Sequence, residues 1–271
     1  MRVRAAGVNF MDVLIRRGDY PALPELPVIL GGEVAGELGG RRVMALPRSG
    51  GYAEKVAADW VVPLPDGASF AEGAAFLMTF LTAWIPLVRQ ARVGEGSTVL
   101  VHAAAGGVGS AAVQLALHLR ARVVATASSE EKRAFALELG AAEAYGYDDF
   151  AGAVRADVVV DPVGGEVFAA SLKALAPLGT LIAIGYAAGP WAALDPALVV
   201  GRNVSVAGFY LGRLMTLAPE VVRSAADELV QLWEQGVVRP VVGAEFPLED
   251  APAAHELIEA RGHVGKVVLV P

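Results

Sequence analysis

The most constraining feature of the sequence is a glycine-rich turn between an apolar strand and an apolar helix. Residues 97–102 form a continuous strand-like run, Gly106 and Gly109 follow it, and a helical pattern extends to residue 119. The spacing fits G-x-G-x-x-G, with Ala104 at the first glycine position. In this motif the middle glycine lets the backbone approach a pyrophosphate, the last lets helix and strand pack closely, and the helix N-terminus supplies free N–H donors. The turn predicts a dinucleotide site, whereas a turn that only tightens packing is the alternative. The residues assigned to cofactor binding here are Ala104, Gly106, Gly107, Val108 and Gly109.

From residue 94 onward the sequence alternates between apolar strands and helices. The predicted strands cover residues 97–102, 122–126, 143–146, 157–161, 179–184 and 203–209. Apolar strands that alternate with helices form a parallel sheet covered on both faces. Six such strands fit the doubly wound order 3-2-1-4-5-6. We therefore predict an α/β fold with a Rossmann cofactor domain.

The N-terminal segment has a different pattern, with closely spaced glycine and proline turn signals between short apolar runs. This is typical of a small β-rich domain. Residues 69–88 are predicted as one helix, with Ser69 and Glu72 as a capping box. Helices near residues 219–235 and 251–261 and a strand at 266–270 follow the Rossmann pattern. The predicted domains are residues 1–88 for substrate, residues 89–208 for cofactor, and a C-terminal segment, 209–271, that returns to the substrate domain.

The end of the second Rossmann strand indicates which dinucleotide is bound. An NAD site needs a carboxylate there to hold the ribose 2′-hydroxyl. This strand ends in Thr126-Ala127-Ser128-Ser129 with no acid, and Lys132 follows one turn later. A hydroxyl and a cation suit a 2′-phosphate, which favours NADP(H). In the alternative interpretation, Ser128 and Glu131 form a capping box and Lys132 is a solvated surface charge.

Composition removes several other classes of function. The chain has 271 residues, no cysteine, four histidines and a net charge of −7. The missing cysteine excludes disulfides, thiolate zinc sites and iron–sulfur clusters. The acidic balance argues against nucleic-acid binding, which needs a clustered basic face. The longest uncharged run, residues 174–194, contains prolines and glycines that prevent a membrane-spanning helix, and no signal peptide is visible. We expect a soluble cytoplasmic protein with no membrane or nucleic-acid partner.

Eight segments of the sequence, the glycine-rich turn among them, carry a resemblance to a known family. They are Ala5–Asp12, Leu30–Gly36, Gly50–Glu54, Phe80–Trp84, Val101–Gly109, Asp161–Gly165, Gly208–Tyr210 and Gly265–Val268. In this order they resemble the medium-chain dehydrogenase/reductases, and within them the zinc-free quinone oxidoreductase (ζ-crystallin-like) branch, from about residue 3 to residue 270. The resemblance implies a GroES-like β-rich substrate domain beside the Rossmann domain. It also implies a site without metal, because Asn9 and Gly32 stand where zinc-dependent relatives have a cysteine and a histidine ligand.

The resemblance also implies roles for individual residues. Asn9 and Tyr20 are predicted to contact substrate and to serve as the catalytic hydrogen-bond donors, although Asn9 in a buried turn and Tyr20 as an aromatic lid are the alternatives. The resemblance implies that six residues outside the turn contact the cofactor. Thr82 is placed near the nicotinamide, Ser128, Lys132 and Tyr147 around the 2′-phosphate, and Gly185 and Phe209 at the cofactor through backbone. His102, beside the turn, is interpreted as a structural hydrogen-bonding residue rather than a catalytic one.

The activity implied is NADPH-dependent, metal-free hydride transfer to a quinone or an α,β-unsaturated carbonyl in an interdomain cleft. An enoyl-thioester reductase is the first alternative, with Arg16, Arg17, Arg41, Arg42 and Arg48 as a basic rim for the thioester arm. A non-catalytic NADPH-binding protein is the second. The resemblance further implies a homodimer that pairs through the last Rossmann strand, residues 203–207. Members of the resembled family have about 25–30 further residues before the first strand of this chain, so either the start of the sequence is misassigned or the substrate domain lacks a hairpin. In the second case we expect an exposed sheet edge.

Overall fold

The computed structural model describes all residues, Met1 to Pro271, and contains two six-stranded sheets. Unit 1 comprises Met1–Thr79 and Val230–Pro271, and unit 2 comprises Phe80–Leu229. This division into units does not test the domain limits predicted from the sequence, which remain predictions. The strands are β1 (Arg2–Val8), β2 (Val34–Leu38), β3 (Arg41–Ala45), β4 (Val61–Pro63), β5 (Thr98–Val101), β6 (Arg122–Thr126), β7 (Glu143–Tyr145), β8 (Ala156–Asp161), β9 (Leu175–Ala183), β10 (Ser205–Gly208), β11 (Val242–Pro247) and β12 (Lys266–Val270).

Helices connect most of these strands. They are α1 (Phe10–Arg17), α2 (Phe70–Gly73), α3 (Leu77–Ile85), α4 (Gly107–His118), α5 (Glu130–Glu138), α6 (Phe150–Ala153), α7 (Gly165–Ala174), α8 (Pro196–Arg202), α9 (Leu211–Leu217), α10 (Pro219–Glu234) and α11 (Ala251–Glu259). A π-helical segment, Pro86–Gln90, follows α3, and a 3-10 turn, Leu248–Asp250, precedes α11.

Unit 2 is a Rossmann domain. Its sheet has the order β10-β9-β8-β5-β6-β7 and every pair in it is parallel. This is the predicted 3-2-1-4-5-6 order read from the other edge, so the predicted α/β fold is confirmed. Buried aliphatic and aromatic side chains from the strands, α6 and α7, among them Leu100, Phe150, Val159 and Leu181, form its core. The order leaves β7 and β10 at the two edges and brings the carboxyl ends of all six strands to one edge of the sheet.

Unit 1 contains the second, mixed sheet, with the order β11-β12-β1-β2-β3-β4. β1 pairs antiparallel with both β2 and β12, and β11 pairs parallel with β12. β1 is therefore an interior strand, and the sheet edges lie at β4 and β11. The register places Gly7 opposite Val268 and Ala6 opposite Val34, which brings the two ends of the chain into one sheet.

The helix predicted for residues 69–88 is divided into three pieces. The capping box at Ser69 is confirmed, since its Oγ accepts from Glu72 N at 3.1 Å and Glu72 Oε2 accepts from Ser69 N at 2.8 Å. α2 nevertheless ends at Gly73, whose Cβ position lies 2.7 Å from Leu64 and 2.9 Å from Ala35, so this turn presses tightly on the sheet. Pro86 begins the π-helical segment, because its backbone has no N–H to continue the α pattern.

The same stretch is the one part of the chain with membrane-like composition. The 21 residues Phe70–Gln90 are long and apolar enough to cross a membrane by length and composition. However, 78% of their most apolar window is buried inside the protein, as in the core helix of a folded domain.

Candidate functional site

The glycine-rich turn has the geometry that a phosphate-binding turn requires. Gly109 has no space for a side chain, since its Cβ position lies 2.1 Å from the carbonyl oxygen of Ala103. At Gly106 the only atom within 4 Å of the Cβ position is that same oxygen, at 3.3 Å. Gly109 therefore allows close packing of α4, while Gly106 leaves open space beside the start of the helix.

The open side of the turn is accessible from outside. Gly106, Gly107 and Val108 are half-buried, whereas Ala104 and Gly109 are buried. The first N–H groups of α4 have no intrahelical acceptor and lie at the positive end of the helix dipole. The turn thus fits the pyrophosphate of a dinucleotide, with the backbone of Gly106–Val108 as its contact and Ala104 and Gly109 as internal packing positions.

The end of β6 supports a 2′-phosphate rather than a free ribose. The N-cap of α5 is Ser129, whose hydroxyl accepts from Lys132 N at 3.3 Å. The alternative capping box between Ser128 and Glu131 is therefore wrong, because the helix starts one residue later than that box requires. Ser128 is exposed outside the cap and Lys132 is half-buried one turn into α5.

The remaining predicted cofactor residues follow other strands of the same sheet, with one exception. Tyr147 follows β7, and Gly185 and Phe209 follow β9 and β10, so all three lie at the carboxyl edge with the glycine-rich turn. A Cβ at Gly185 would lie 2.8 Å from the carbonyl oxygen of Pro162, which explains the glycine there. Thr82 is different, because it lies inside α3 and is only 8% exposed. Its predicted contact with the nicotinamide stays a prediction.

His102 is a structural residue, as interpreted from the sequence. It is fully buried, with Nδ1 2.7 Å from Thr126 Oγ1 and Nε2 2.7 Å from Ser171 Oγ. Ser171 donates its own proton to the carbonyl of Val167 at 2.6 Å, so it accepts from His102 Nε2 and Nδ1 accepts from Thr126. Burial lowers the pKa of His102 to about 3, which keeps the ring neutral.

Asp161 shapes the loop against which Gly185 packs. Its Oδ1 accepts from the N–H groups of Val163 and Gly164 at 2.8 and 3.0 Å, and burial raises the pKa of this carboxyl group. The second oxygen, Oδ2, is buried without a hydrogen-bond partner. Asp161 therefore stabilises the turn that follows β8.

In unit 1, the predicted catalytic Asn9 belongs to a buried polar cluster. Its Oδ1 accepts from Lys266 Nζ at 3.0 Å, and its Nδ2 lies 3.4 Å from both Gly7 O and Glu33 Oε2. Lys266 Nζ also donates to Glu33 Oε2 at 2.6 Å, and Glu33 Oε1 accepts from Met78 N at 2.8 Å. Glu33 was not predicted from the sequence, and Lys266 was assigned no role there because a solvated charge at a strand edge was an equal interpretation; the available signal was a single charged residue in each of two otherwise apolar runs.

A second buried network supports the backbone at Asn9. Asp12 is 1% exposed, and its carboxylate accepts from Asn9 N at 2.8 Å and Gly31 N at 3.1 Å. Burial raises the pKa of Asp12 to about 6, against the opposing effect of these N–H groups. Tyr52 forms a hydrogen bond with Asp12, and the Tyr52 hydroxyl lies 3.1 Å from His255 Nε2. Burial, together with the charge of Asp12, raises the pKa of Tyr52.

Tyr20 is not brought together with Asn9 by a hydrogen bond. It is half-buried in the loop between α1 and β2, while the side-chain hydrogen bonds of Asn9 go to Gly7, Glu33 and Lys266. Its predicted contact with substrate stays a prediction. No group of three or more His, Asp or Glu side chains in the chain is arranged to hold a metal ion.

Comparison with known proteins defines the family. A family profile described as zinc-binding dehydrogenase matches residues 139–269. The quinone oxidoreductase of Pseudomonas aeruginosa is 36% identical over 295 aligned residues, which cover 100% of this chain and 90% of that protein. The chain is a member of the quinone oxidoreductase branch of the medium-chain dehydrogenase/reductases.

Solved structures agree with this assignment. The quinone oxidoreductase of Thermus thermophilus, whose structure was also solved in complex with NADPH, matches with a TM-score of 0.93 and 42% identity, covering 100% of this chain and 90% of that one. The Escherichia coli quinone oxidoreductase complexed with NADPH matches with a TM-score of 0.90 and 30% identity at the same coverage. The predicted resemblance is therefore confirmed.

Proposed function

We propose that this protein is an NADPH-dependent oxidoreductase that reduces a quinone or an α,β-unsaturated carbonyl. The observation that carries the proposal is the phosphate-binding turn at Gly106 combined with Ser128 and Lys132, and no carboxylate, at the end of β6. Two related quinone oxidoreductases are described as complexes with NADPH, which supports the same cofactor here.

Bound NADPH would supply a hydride from its nicotinamide ring. The backbone of Gly106–Val108 would hold the pyrophosphate, and Lys132 with Ser128 would hold the 2′-phosphate. As hydride reaches the acceptor, negative charge develops on its oxygen and requires a hydrogen-bond donor. Asn9 Nδ2 is that donor, because its two contacts at 3.4 Å are long and leave it able to bond a stronger acceptor. Tyr20 would line the acceptor site.

The contacts of the arginines in the predicted basic rim favour a quinone or enone substrate over an enoyl thioester. Arg16 and Arg17 both form ion pairs with Glu259, at 2.6 and 2.5 Å. Arg42 donates to Ala68 O and lies 4.8 Å over the Phe70 ring. Three of the five arginines considered for a thioester arm are therefore engaged within unit 1.

We propose further that the protein forms a homodimer through β10. This strand lies at the edge of the Rossmann sheet and has an open pairing side. A concave pocket of about 710 Å³ lies at the same edge and is lined largely by apolar residues, including Trp191, Tyr210 and Leu217. A second copy would cover this pocket and pair with the strand. Light scattering after size-exclusion chromatography tests this: a mass near twice the 28.0 kDa of the chain supports the dimer, and 28.0 kDa contradicts it.

The activity is tested by following NADPH oxidation at an absorbance wavelength specific to the reduced cofactor. The acceptor panel is 1,4-benzoquinone, 9,10-phenanthrenequinone, an alkenal and crotonyl-CoA, each with NADPH and with NADH. Turnover of a quinone or the alkenal with preference for NADPH supports the proposal. Preference for crotonyl-CoA would instead establish the enoyl-thioester reductase, and tight NADPH binding without any turnover would establish a non-catalytic binding protein.

A further inference from the structure

Two buried ionic side chains hold the amide of Asn9. Lys266 is 5% exposed and Glu33 is 0% exposed, and their ion pair is 2.6 Å long. The cluster fits around Gly7, whose Cβ position lies 2.1 Å from the carbonyl oxygen of Ala74, 2.8 Å from Glu33 Oε2 and 2.9 Å from Lys266 Nζ. A glycine at position 7 thus makes room for the pair directly beside the amide that is proposed to contact the acceptor.

The chemistry of these partners determines which way the amide faces. An ammonium group has only donors, so the atom of Asn9 that lies 3.0 Å from Lys266 Nζ must be the acceptor Oδ1. Glu33 Oε2, which accepts, lies on the side of Nδ2. Rotating the amide by half a turn would set Nδ2 against the ammonium group and Oδ1 against the carboxylate. Both neighbours therefore favour the same orientation.

We propose that Lys266, balanced by Glu33, is a positioning residue that fixes the Asn9 amide with its N–H₂ group available to the acceptor oxygen. The inference rests on the proposed function, since it concerns the donor for the charge that develops during reduction. Without Lys266, Asn9 Oδ1 loses its donor, and Glu33 Oε2, no longer paired with the ammonium group, would draw Nδ2 away from the acceptor oxygen. Lys266 acts through Asn9, and Glu33 neutralises its charge inside unit 1.

The first test is spectroscopic and needs no cofactor. The chain has only two asparagines, Asn9 and Asn203, so asparagine-selective ¹⁵N labelling yields two side-chain amide groups. Loss of one pair of signals in Asn9→Ala assigns them. In Lys266→Met the Asn9 signals should shift or broaden, while those of the exposed Asn203 stay in place as an internal reference. Unchanged Asn9 signals in Lys266→Met would overturn the proposal.

The second test separates positioning from a purely structural ion pair by kinetics with NADPH and 9,10-phenanthrenequinone. Asn9→Ala should lower kcat by roughly 100-fold, the loss typical of one oxyanion donor. Lys266→Met should approach that loss, and the double variant should be no worse than Asn9→Ala alone, because Lys266 acts only through Asn9. Lys266→Arg, which keeps the donors, should restore most of the turnover, and the affinity for NADPH should stay within about twofold throughout.

The proposal would be overturned if the losses in kcat of Lys266→Met and Asn9→Ala multiplied in the double variant. It would also be overturned if Lys266→Met kept the kcat of the wild type. Removing Lys266 leaves Glu33 buried without its partner, which costs stability. If thermal melts show that Lys266→Met is unfolded, Glu33→Gln/Lys266→Met removes both charges and is compared with and without Asn9→Ala. An inactive wild type contradicts the proposed function, whereas an active wild type with an impaired Asn9→Ala and an unimpaired Lys266→Met contradicts only this inference.

Discussion

Replacing His102 by Gln should make the protein less sensitive to mild acid. The buried ring is neutral in the folded state, where it accepts from Thr126 and donates to Ser171, and burial lowers its pKa to about 3. In the unfolded chain the imidazole returns to its ordinary pKa of about 6.5 and binds a proton first. The stabilising contribution is therefore complete above pH 6.5 and is lost progressively as the pH falls towards 3.

The magnitude follows from the two pKa values. Over the full interval the free energy of unfolding should fall by roughly 5 kcal/mol, at about 1.4 kcal/mol for each pKa unit. Between about pH 7.5 and about pH 5.5 the unfolded state alone takes up the proton, so the loss is about 1.4 kcal/mol. Asp12 opposes this, because its folded pKa of about 6 lies above the ordinary carboxyl value and its contribution to stability rises as the pH falls. The comparison of wild type with His102→Gln cancels the contribution of Asp12.

Urea unfolding of both proteins at the two pH values provides the measurement. The stability difference between wild type and His102→Gln should shrink by about 1.4 kcal/mol at the lower pH. Ser171→Ala is the matched control, because it removes one hydrogen bond of the ring but keeps the imidazole, and its pH dependence should follow wild type. A difference between wild type and His102→Gln that is the same at both pH values would refute the assignment of a neutral, non-titrating ring.

The other predictions concern the cofactor turn and the sheet edge. Lys132→Ala should weaken NADPH binding by about 1.5–3 kcal/mol, roughly 10- to 150-fold, and leave NADH binding almost unchanged in a fluorescence titration; equal losses would contradict the 2′-phosphate assignment. Gly106→Val should abolish NADPH binding in a protein that still folds, because the added side chain meets only the Ala103 carbonyl oxygen, at 3.3 Å, and otherwise extends to the cofactor side; retained affinity would contradict the turn assignment. Gly109→Ala should instead lower the free energy of unfolding by about 1–3 kcal/mol, because its Cβ would lie 2.1 Å from the Ala103 carbonyl; wild-type stability in urea would count against this packing. Leu217→Asp, at a side chain 65% exposed, should shift a dimer towards monomer in light scattering, and an unchanged mass would place the interface elsewhere.

The cofactor half of the fold was predictable because its signals are local. A strand, a glycine turn and a helix occupy consecutive residues from Thr98 to His118, and each later strand repeats the pattern. The short α1 and β11 were missed for the opposite reason. α1 is only eight residues long and follows a strand after a single residue, and β11 pairs only with β12. The break after Gly73 was also not predicted, because a single glycine in an apolar run is compatible with a continuous helix.

The cluster around Asn9 could be predicted only in part, also because it depends on contacts between distant parts of the chain. The resemblance pointed to Asn9, but Glu33 and Lys266 are separated from it by 24 and 257 positions in sequence. They meet because β12, β1 and β2 are neighbours in one sheet, and no local pattern encodes that adjacency. A charged residue inside an apolar run indicates a buried partner, but the sequence alone does not say which one.

The pairing of β1 with β12 also affects how the chain folds. Ala6 faces Leu269, so the contact closes a loop that contains all of unit 2. Closing long loops is entropically costly and slow, whereas the contacts within unit 2 span shorter stretches of chain. During synthesis the Rossmann unit leaves the ribosome complete while β1 still lacks one of its two partners. The cluster around Asn9 therefore forms only after Lys266 has been made, so a chain that stops before β12 has a complete nucleotide-binding unit but lacks the residue proposed to position Asn9.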